Sequence, residues 1–354
     1  MKTIKIDPDN IDNDLIREVA KVLTDGGIVA LPTETVYGLG GRADKAEVID
    51  RLYSLKKRSR DKPFTFVLSD IDKIINNYFD LLPPFAYRMM EYYWPGPITF
   101  IYHSQDDKKI GIRVPSHRVT RKILEKLDLA LFLPSANLSG QDEAVSASQV
   151  ESVFDGNIDL IVDSGKSQHA QASTVVDLTT KPFSVLRKGA VSKEDLINTF
   201  IRKRIMFVCT GNSCRSPLAE FLLKKYLSEL KPVLDGRYEI SSAGVSAFPG
   251  ATAASNIVSL LAKREGVDAN GFNSRRLDRH MILSSDMLIT MEDIQSKYIL
   301  QFEQSSEGRV FNLKKFLPFG SQEDIPDPIG RSTGYYEQVY LVIKKAILEL
   351  IEWL

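Results

Sequence analysis

Hydrophobic residues in the first 200 positions alternate between helical and extended spacing. Residues 15–25 (LIREVAKVLTD) and 46–58 (AEVIDRLYSLKKR) carry apolar side chains three and four positions apart, which predicts amphipathic helices. Short apolar runs predict buried strands; they are GGIVALP (26–32), FTFVL (64–68), ITFIY (98–102), ALFLP (130–134), LIVDS (160–164) and STVVDL (173–178). Helices mixed with strands predict an α/β fold.

A second α/β pattern begins near residue 200, after the short basic connection IRKR. It predicts, in order, strands and helices at residues 204–209, 216–230, 238–244, 287–291 and 335–353. Alternating strands and helices favour a doubly wound parallel sheet. We therefore expect two domains, residues 1–200 and residues 203–354.

The composition excludes several classes of protein. Lys and Arg together number 46, as do Asp and Glu, so neither domain is predicted to be a polybasic nucleic-acid binder. The basic run KKRSRDK (56–62) is typical of a solvated loop. No apolar run is long enough for a membrane span, and the first residues lack the apolar core of a signal peptide. We therefore expect a cytoplasmic protein without a membrane partner.

Both cysteines of the chain lie in FVCTGNSCRSPLAE (207–220). Two cysteines cannot form a disulfide framework, and a reducing cytosol argues against a permanent bridge. A zinc site needs about four ligands, and none of the four histidines follows these cysteines at finger-like spacing. Cys209 and Cys214 are therefore better candidates for nucleophilic or redox chemistry than for metal binding.

The segment around Cys209 has the order of a phosphate site. A predicted strand ends at Cys209, Ser216 is predicted to be the N-cap of a helix, and Pro217 suits the first helical position. Backbone N–H groups and the helix dipole at such a terminus bind anions. Arg215 can grip a phosphoryl group with two parallel hydrogen bonds. A cysteine in this field is expected to be a thiolate, so the segment predicts a sulfur nucleophile beneath a bound phosphate.

Transfer of a phosphoryl group to sulfur also needs a proton for the leaving group. DIPDPIG (324–330) offers Asp327, in a loop stiffened by two prolines. Asp-Pro alone is more often a turn, so the pairing of Asp327 with Cys209 is a prediction about the fold.

The second half resembles the low-molecular-weight protein phosphatase family over about residues 203–354. VCTGNSCRSPLAE, SAG (242–244), MLITMED (287–293) and IPDP occur in the family's order. The resemblance implies a cofactor-free phosphatase acting on phosphoproteins. Cys209 would form a phosphocysteine, Arg215 would bind the phosphate, and Asp327 would act as general acid and then as base.

The resemblance also implies roles for the loop residues Asn212, Ser213, Cys214 and Ser216. Ser216 would donate a hydrogen bond to the thiolate, and Asn212 would hold the loop. Cys214 would form a reversible disulfide with the nucleophile and protect it from irreversible oxidation, the alternative being simple packing.

Two specificities remain open within that family. Ser213 and the segment DPIGRS resemble the phosphoarginine-directed branch, although that branch usually has threonine and phenylalanine where this chain has Ser213 and Ile329. Phosphotyrosine specificity would need an aromatic wall from elsewhere, such as Tyr335, Tyr336 or Phe248. An arsenate reductase would typically need more cysteines. We favour phosphoarginine.

Two loops rich in small polar residues mark the first half. LPTETVYGLG (31–40) and LPSANLSG (133–140) each follow a predicted strand. Together with scattered Lys and Arg residues they would suit a multiply anionic ligand. The common nucleotide motifs GxxxxGK[ST] and GxGxxG are absent from the sequence. The residues alone therefore indicate a phosphate-ligand site and no more.

Residues 1 to about 200 resemble the YrdC/Sua5/YciO family. The matching segments, in order, are PTETVYGLG, KKRSRDKP, WPGPITF, GIRVPSH, PSANLSG, STVVD and LRKGAVS. The resemblance implies a twisted mixed sheet and a nucleotidyltransferase. It would make L-threonylcarbamoyladenylate, the precursor of a tRNA modification, from threonine, bicarbonate and ATP. Transfer RNA or tRNA-modification proteins are then expected partners.

The same resemblance implies two groups of binding residues. Those expected near threonine are Thr33, Tyr37, Arg113 and Ser173. Those expected around ATP are Lys56, Arg58, Lys62, Ser135, Asn137 and Arg187. Mg²⁺ is expected to neutralise triphosphate charge, but no carboxylate cluster in the sequence identifies its ligands.

Two departures leave an alternative open. Ser59 stands where many synthases have proline, and Val67 stands where many have a histidine that contacts threonine. In the alternative, the first half is a non-catalytic RNA- or nucleotide-binding module, and the phosphatase is directed to phosphotyrosine. We favour an active synthase because PSANLSG is intact.

Overall fold

The computed structural model describes residues 1–73, 78, 81–180, 182–317 and 324–354. These residues form two compact units. The first contains residues 1–81 and 89–197, and the second contains residues 82–88 and 198–354. None of the described helices combines the length and the apolar character that crossing a bilayer requires.

The hydrophobic runs quoted above form the first two helices and six of the ten described strands of the first half. The helices are α1 Asn13–Thr24, α2 Ala46–Lys56, α3 Pro84–Tyr93, α4 Arg118–Leu127, α5 Ala147–Phe154 and α6 Lys193–Ile201. The strands are β1 Lys2–Lys5, β2 Val29–Leu31, β3 Gly38–Arg42, β4 Phe66–Val67, β5 Ile98–His103, β6 Lys109–Arg113, β7 Leu131–Phe132, β8 Leu160–Asp163, β9 Thr174–Asp177 and β10 Ser184–Arg187.

Within the described residues, these strands form one ten-stranded sheet in the order β1-β8-β2-β3-β7-β4-β6-β5-β9-β10. Pairs such as β5 with β9 are parallel, and pairs such as β5 with β6 are antiparallel. The sheet is therefore mixed, as expected. Strand β3 was not predicted, because three of its five residues are glycine, which weakens a strand. The packing of α2 explains one of these glycines, since a Cβ at Gly41 would lie 2.6 Å from the Val48 side chain. A Cβ at Gly38 would lie 2.7 Å from the Leu133 side chain, which follows β7.

The second half contains four strands among the described residues, β11 Lys203–Cys209, β12 Tyr238–Gly244, β13 Met287–Thr290 and β14 Val310–Asn312. Its α-helices are α7 Arg215–Leu230, α8 Ser255–Leu260, α9 Arg279–Ser284, α10 Asp293–Phe302 and α11 Thr333–Trp353. The strands pair in parallel in the order β12-β11-β13-β14. Strand β11 thus has strands from later in the chain on both sides. In doubly wound folds, ligands bind at the carboxyl end of such a strand.

Alternating side chains of β11 fill two cores. Ile205 and Phe207 pack on one face, in a cluster with residues of α7 and α11. Met206 and Val208 pack on the other face, with residues of α9 and α10. The parallel sheet is therefore covered on both sides, which confirms the predicted doubly wound architecture.

A buried carboxylate joins α7 to α11. Glu265 is 7% exposed, and its carboxylate accepts hydrogen bonds from Lys225 (2.8 Å) and Tyr226 (2.7 Å) of α7. It also accepts from Tyr340 and from Lys344 (2.8 Å) of α11. Burial alone would raise the pKa of Glu265, but these bonds lower it to about 2.

We expect Glu265→Gln to destabilise this part of the fold by about 3 kcal/mol at pH 7, because it leaves two lysines beside a neutral group. In the full chain, the backbone amides of α11 should then exchange about a hundredfold faster than in wild type, because the helix opens more often. The native pKa lies below the unfolded value, so the difference from wild type should be constant above pH 4.5 and shrink toward pH 2.

Glu229→Gln is the matched control. Glu229 lies 3.9 Å from the same Lys225, but its side chain is 54% exposed. An exposed pair contributes little, so the exchange of α11 should change less than threefold. Equal effects of the two substitutions would show that the buried carboxylate does not hold the helices together.

Candidate active sites

The loop between β2 and β3 carries a buried ion pair in the first unit. The Arg113 Nη2 atom, at the end of β6, lies 2.6 Å from Glu34 Oε1, and Arg113 Nε donates to the Gly96 carbonyl (3.2 Å). The other Glu34 oxygen accepts from the backbone N–H groups of Ser116 (3.0 Å) and His117 (3.3 Å). Burial would raise the pKa of Glu34, but Arg113 and the backbone bonds hold it below its ordinary value.

The same loop supplies two further predicted residues. Thr33 is buried, and its hydroxyl bonds Thr35 Oγ1 (2.8 Å) and the Val36 carbonyl (2.6 Å). The Tyr37 hydroxyl donates to the Gly165 carbonyl (2.7 Å), and burial raises its pKa to about 12. The loop is therefore fixed through its own hydroxyl groups.

Arg187, at the end of β10, is fixed to Ser173. Its Nε donates to the Ser173 carbonyl (3.0 Å), and its Nη2 donates to Ser173 Oγ (2.9 Å). Ser173 Oγ also lies 3.1 Å from Thr99 Oγ1. Burial lowers the pKa of Arg187, and the nearby charge of Glu143 opposes that effect. One predicted ATP residue thus contacts one predicted threonine residue directly.

Lys56 holds the loop that follows β7. Its ammonium donates to the Ser135 carbonyl, the Asn137 carbonyl (2.8 Å) and Asn137 Oδ1 (3.0 Å). Ser135 Oγ also donates to Asn137 Oδ1 (2.7 Å). Burial and the nearby Arg58 lower the pKa of Lys56 to about 8. Because its three N–H groups are used in this way, Lys56 shapes the loop in addition to supplying charge.

The remaining predicted residues lie on the basic loop after α2. Arg58 is half-buried and donates to the carbonyls of Lys62 (2.9 Å) and Pro63 (3.2 Å). Ser59, one of the two departures from the synthase pattern, is exposed and bonds Asp61. Val67, the other departure, lines the cavity described next.

The ten predicted residues line two cavities of about 400 and 380 Å³, which share Arg58, Ser135, Glu143 and Arg187. The first cavity contains every predicted threonine residue as well as Arg58, Lys62, Ser135 and Arg187. Lys56 and Asn137 line the second. The sequence analysis missed Glu34 and Glu143. Glu34 was the one acidic residue in LPTETVYGLG, which could have suggested a partner for Arg113.

In the second unit, the loop after β11 surrounds the Cys209 sulfur with hydrogen-bonding groups. The backbone N–H of Asn212 donates to Sγ (3.2 Å), and Ser216 Oγ lies 3.0 Å from it. Asn212 has a φ of 50°, the left-handed region that asparagine tolerates better than most residues. Cys209 is 3% exposed. The loop therefore presents donors to the sulfur from two directions.

Hydrogen-bond directions around Asn212 can be assigned step by step. Asn212 Oδ1 accepts from the Arg275 backbone N–H (2.8 Å), so its Nδ2 donates to Ser216 Oγ and Ser242 Oγ, both at 2.9 Å. Ser242 in turn donates to Glu220 (2.6 Å). Ser216 Oγ already accepts the bond from Asn212, so its own hydrogen is free to be donated. The Cys209 sulfur lies 3.0 Å away, nearer than the other acceptor, the Ala243 carbonyl, at 3.4 Å. The Cys209 sulfur is therefore bonded by both the Asn212 backbone and the Ser216 hydroxyl.

Helix α7 begins two residues earlier than expected. The cap position is Cys214, and Arg215 is the first helical residue, so Ser216 and Pro217 lie inside the first turn. The Ser216 hydroxyl is used by Asn212 and Cys209. The prediction of Ser216 as the cap was therefore wrong, because its side chain is hydrogen-bonded to Asn212 and Cys209 rather than to the helix backbone.

Arg215 is 1% exposed and is paired in the absence of ligand. Its Nη2 lies 2.5 Å from Asp327 Oδ2, and its Nη1 lies 2.9 Å from Glu292 Oε2 and 2.8 Å from the Ile325 carbonyl. The fold thus brings Asp327 to the arginine of the cysteine loop. Glu292 was missed, although it lies in the quoted segment MLITMED.

Around this site, both cysteines are free thiols. Cys214 Sγ lies 3.7 Å from Ser213 Oγ and 3.9 Å from the Tyr336 hydroxyl, and burial raises its pKa. Ile329 is 65% exposed and Phe248 is 84% exposed. Among the described residues, no three His, Cys, Asp or Glu side chains are placed to hold a metal ion in either unit.

Family comparisons agree with the two units. Residues 21–189 match the Sua5/yciO/yrdC family model, described as telomere recombination. Residues 204–354 match the low molecular weight phosphotyrosine protein phosphatase model.

Three relatives support the first match. A threonylcarbamoyl-AMP synthase of Pyrococcus abyssi (strain GE5 / Orsay) is 30% identical over 56% of this chain, and one of Bacillus subtilis (strain 168) is 31% identical over 51%. The chain spans only 61% and 55% of the lengths of these two proteins. The crystal structure of E. coli YciO is 26% identical with a TM-score of 0.50, covering 54% of this chain and 98% of that one.

The first family model covers the part of the chain with the mixed sheet, and the second covers the part with the parallel sheet. Residues 21–189 form a domain of the Sua5/YciO/YrdC family, and residues 204–354 form a domain of the low molecular weight phosphatase family.

Proposed function

We propose that the chain is a bifunctional enzyme with one activity in each domain, residues 1–200 and 203–354. The first domain would synthesise L-threonylcarbamoyladenylate from L-threonine, bicarbonate and ATP and release pyrophosphate. The observation that carries this proposal is the cavity in which hydroxyl groups and the fixed guanidinium of Arg113 adjoin a cluster of further cations. The names of the two synthase relatives support the same reaction.

Threonine would bind at the end of the cavity that contains Arg113. A guanidinium held by Glu34 keeps its planar donor geometry, which matches a carboxylate. Thr33 and Ser173 supply hydroxyl groups nearby, and the Tyr37 ring lines the wall. The threonine amine, once it has captured bicarbonate, would carry a new carboxylate toward the cationic end.

ATP would bind where the two cavities meet. Arg58, Lys62 and Arg187 line this region, and Lys56 fixes the Ser135–Asn137 loop beside it. The carbamate oxygen would attack the α-phosphorus, and pyrophosphate would leave with its charge balanced by these cations. Magnesium bound to the triphosphate would add further charge neutralisation. The product would then serve a tRNA modification, so tRNA or its modification proteins are proposed partners.

The second domain would hydrolyse phosphoproteins through a phosphocysteine. The Cys209 sulfur, bonded by Asn212 and Ser216, would attack phosphorus while Arg215 binds two phosphoryl oxygens. Asp327, whose carboxylate pairs with Arg215, would leave the arginine when the phosphoryl group binds and take up a proton. It would give this proton to the leaving group and later take one from water. Cys214 would protect the nucleophile through a reversible disulfide.

We further propose that the leaving group is the guanidine of phosphoarginine. Ser213 places a small hydroxyl in the loop, and the segment after Asp327 presents the aliphatic Ile329 rather than an aromatic ring. The aromatic candidates for the phosphotyrosine alternative are Tyr335, Tyr336 and Phe248. Phe248 is 84% exposed, and Tyr336 is buried with its hydroxyl 3.9 Å from Cys214 Sγ. The comparison of the two substrates below separates these specificities.

Cys209→Ser should abolish phosphatase activity and leave threonine-dependent pyrophosphate release within twofold of wild type. Serine is a far weaker nucleophile than a thiolate in this loop, and Cys209 has no proposed role in the first domain. Both activities can be assayed on one preparation of the full chain. Parallel loss of the two activities would contradict the proposal of separate sites.

Arg113→Lys should raise the dissociation constant of L-threonine about ten- to a hundredfold, because lysine keeps the charge but loses the two-pronged donor. Titration calorimetry without ATP measures this directly. Arg118→Lys is the control, since the Arg118 side chain is 63% exposed and pairs with Asp9 at 2.9 Å. Unchanged threonine affinity in Arg113→Lys would remove Arg113 from the amino-acid site.

With peptides of matched sequence, kcat/KM should be at least tenfold higher for phosphoarginine than for phosphotyrosine. The physical reason is that a small hydroxyl at Ser213 leaves room for a guanidine but provides no surface for stacking an aromatic ring. Cys209→Ser serves as the blank. A preference for phosphotyrosine would instead assign the aromatic wall to Tyr335, Tyr336 or Phe248, and alanine at the residue responsible would then reduce that preference.

A further inference from the structure

Glu143 has no role in the proposals above, yet it lines both cavities of the first domain. It is half-buried, and the adjacent Ala144 carbonyl accepts the backbone N–H of Tyr37 (2.8 Å). The backbone that carries Glu143 is therefore fixed to the loop that contains Thr33. Its carboxylate is placed where the proposed triphosphate would pass.

The charges around Glu143 are mostly positive. It shares both cavities with Arg58 and Arg187, and its charge acts on Lys56 and Arg187. Two other carboxylates line these cavities among the described residues, but each lines only one. Asp61 is exposed and bonds Ser59, and Asp142 is exposed in the second cavity. Glu143 is thus the carboxylate common to both cavities.

A carboxylate inside a polyanion site has a definite physical consequence. It repels a metal-free triphosphate, and the repulsion is strong where water is partly excluded. A divalent cation between the two removes that repulsion and replaces it with attraction. Magnesium in nucleotide sites is typically held by one or two carboxylates together with phosphate oxygens and water, so a single glutamate fits this role.

We propose that Glu143 makes this pocket select a nucleoside triphosphate complexed with a divalent cation over the metal-free triphosphate. The inference rests on the proposed ATP-binding function of the first domain. Glu143 acts in it as a specificity-determining residue, and Arg58, Lys62 and Arg187 bind the phosphates in either case.

The test is titration calorimetry of the full chain with ATP, without threonine, once in excess MgCl₂ and once in EDTA. The measured quantity is the ratio of the two affinities. Glu143→Gln should lower this ratio about tenfold, since glutamine keeps the shape but removes the charge that opposes free ATP and favours the metal. Asp142→Asn, a neighbouring carboxylate exposed in the second cavity, should leave the ratio within twofold.

Each other outcome overturns the inference in a recognisable way. ATP binding with an unchanged ratio in Glu143→Gln means that Glu143 does not sense the metal, and the proposed ATP site stands. Equal loss of affinity for both forms assigns Glu143 a purely structural role. In a separate titration with L-threonine, weaker binding by Glu143→Gln together with an unchanged ATP ratio places the carboxylate beside the amino-acid ammonium. Absence of ATP binding in the wild type in both conditions removes the proposed function itself.

Discussion

Both proposed sites depend on the cost of burying a positive charge. Arg113 is 8% exposed and Arg215 is 1% exposed, and an unpaired charge in either place would strongly destabilise the fold. Glu34 pairs with the first, and Asp327 and Glu292 pair with the second. The same pairs fix the direction of each guanidinium before any ligand arrives. A structural requirement of the folded chain thus provides a preorganised anion receptor in each domain.

Strand ends explain why the functional groups converge in both domains. In the first, Arg113 ends β6, Arg187 ends β10, and Ser173 immediately precedes β9. Their strands are close neighbours in the order β6-β5-β9-β10, so residues 60 to 75 positions apart in the chain reach one cavity. In the second domain, Cys209 ends β11, the strand from which the chain continues to both sides. Sheet order, rather than sequence spacing, therefore determines which side chains meet.

Features with a local cause could be predicted from the sequence. The strand that ends at Cys209 and the helix that follows are specified by a buried apolar run and by residues suited to a helix start. Strand β3 could not be predicted, because its glycines are explained only by the close approach of side chains such as Val48 of α2 and Leu133 in the folded chain. The start of α7 was misplaced because the Ser216 hydroxyl has partners that local capping rules do not include.

Pairs of residues that are distant in the chain but bonded in the structure also could not be predicted from the sequence. Glu34 lies 79 residues from Arg113, and no local signal in the sequence joins them. The same holds for Lys56, whose bonds to the Asn137 loop span 81 residues. The residue types predicted charge and hydrogen bonding. Only the fold shows that the Lys56 ammonium donates its hydrogen bonds to oxygens of Ser135 and Asn137. The family resemblance predicted which residues belong to each proposed site. The structure shows the hydrogen bonds and ion pairs that hold those residues in place.

The ion pair of Arg215 with Asp327 also links binding to chemistry in the proposed phosphatase. A phosphoryl group needs the same two-pronged donor that now bonds the Asp327 carboxylate at 2.5 Å and the Glu292 carboxylate at 2.9 Å. The group that replaces Asp327 on the arginine therefore releases that side chain, and the leaving group arrives beside it in the same event. Glu292 bonds the other terminal nitrogen of Arg215, Nη1, and its backbone is fixed in a capping box with Gln295. In the proposed mechanism the arriving phosphoryl group would therefore take Nη2 first and free the Asp327 side chain for proton transfer.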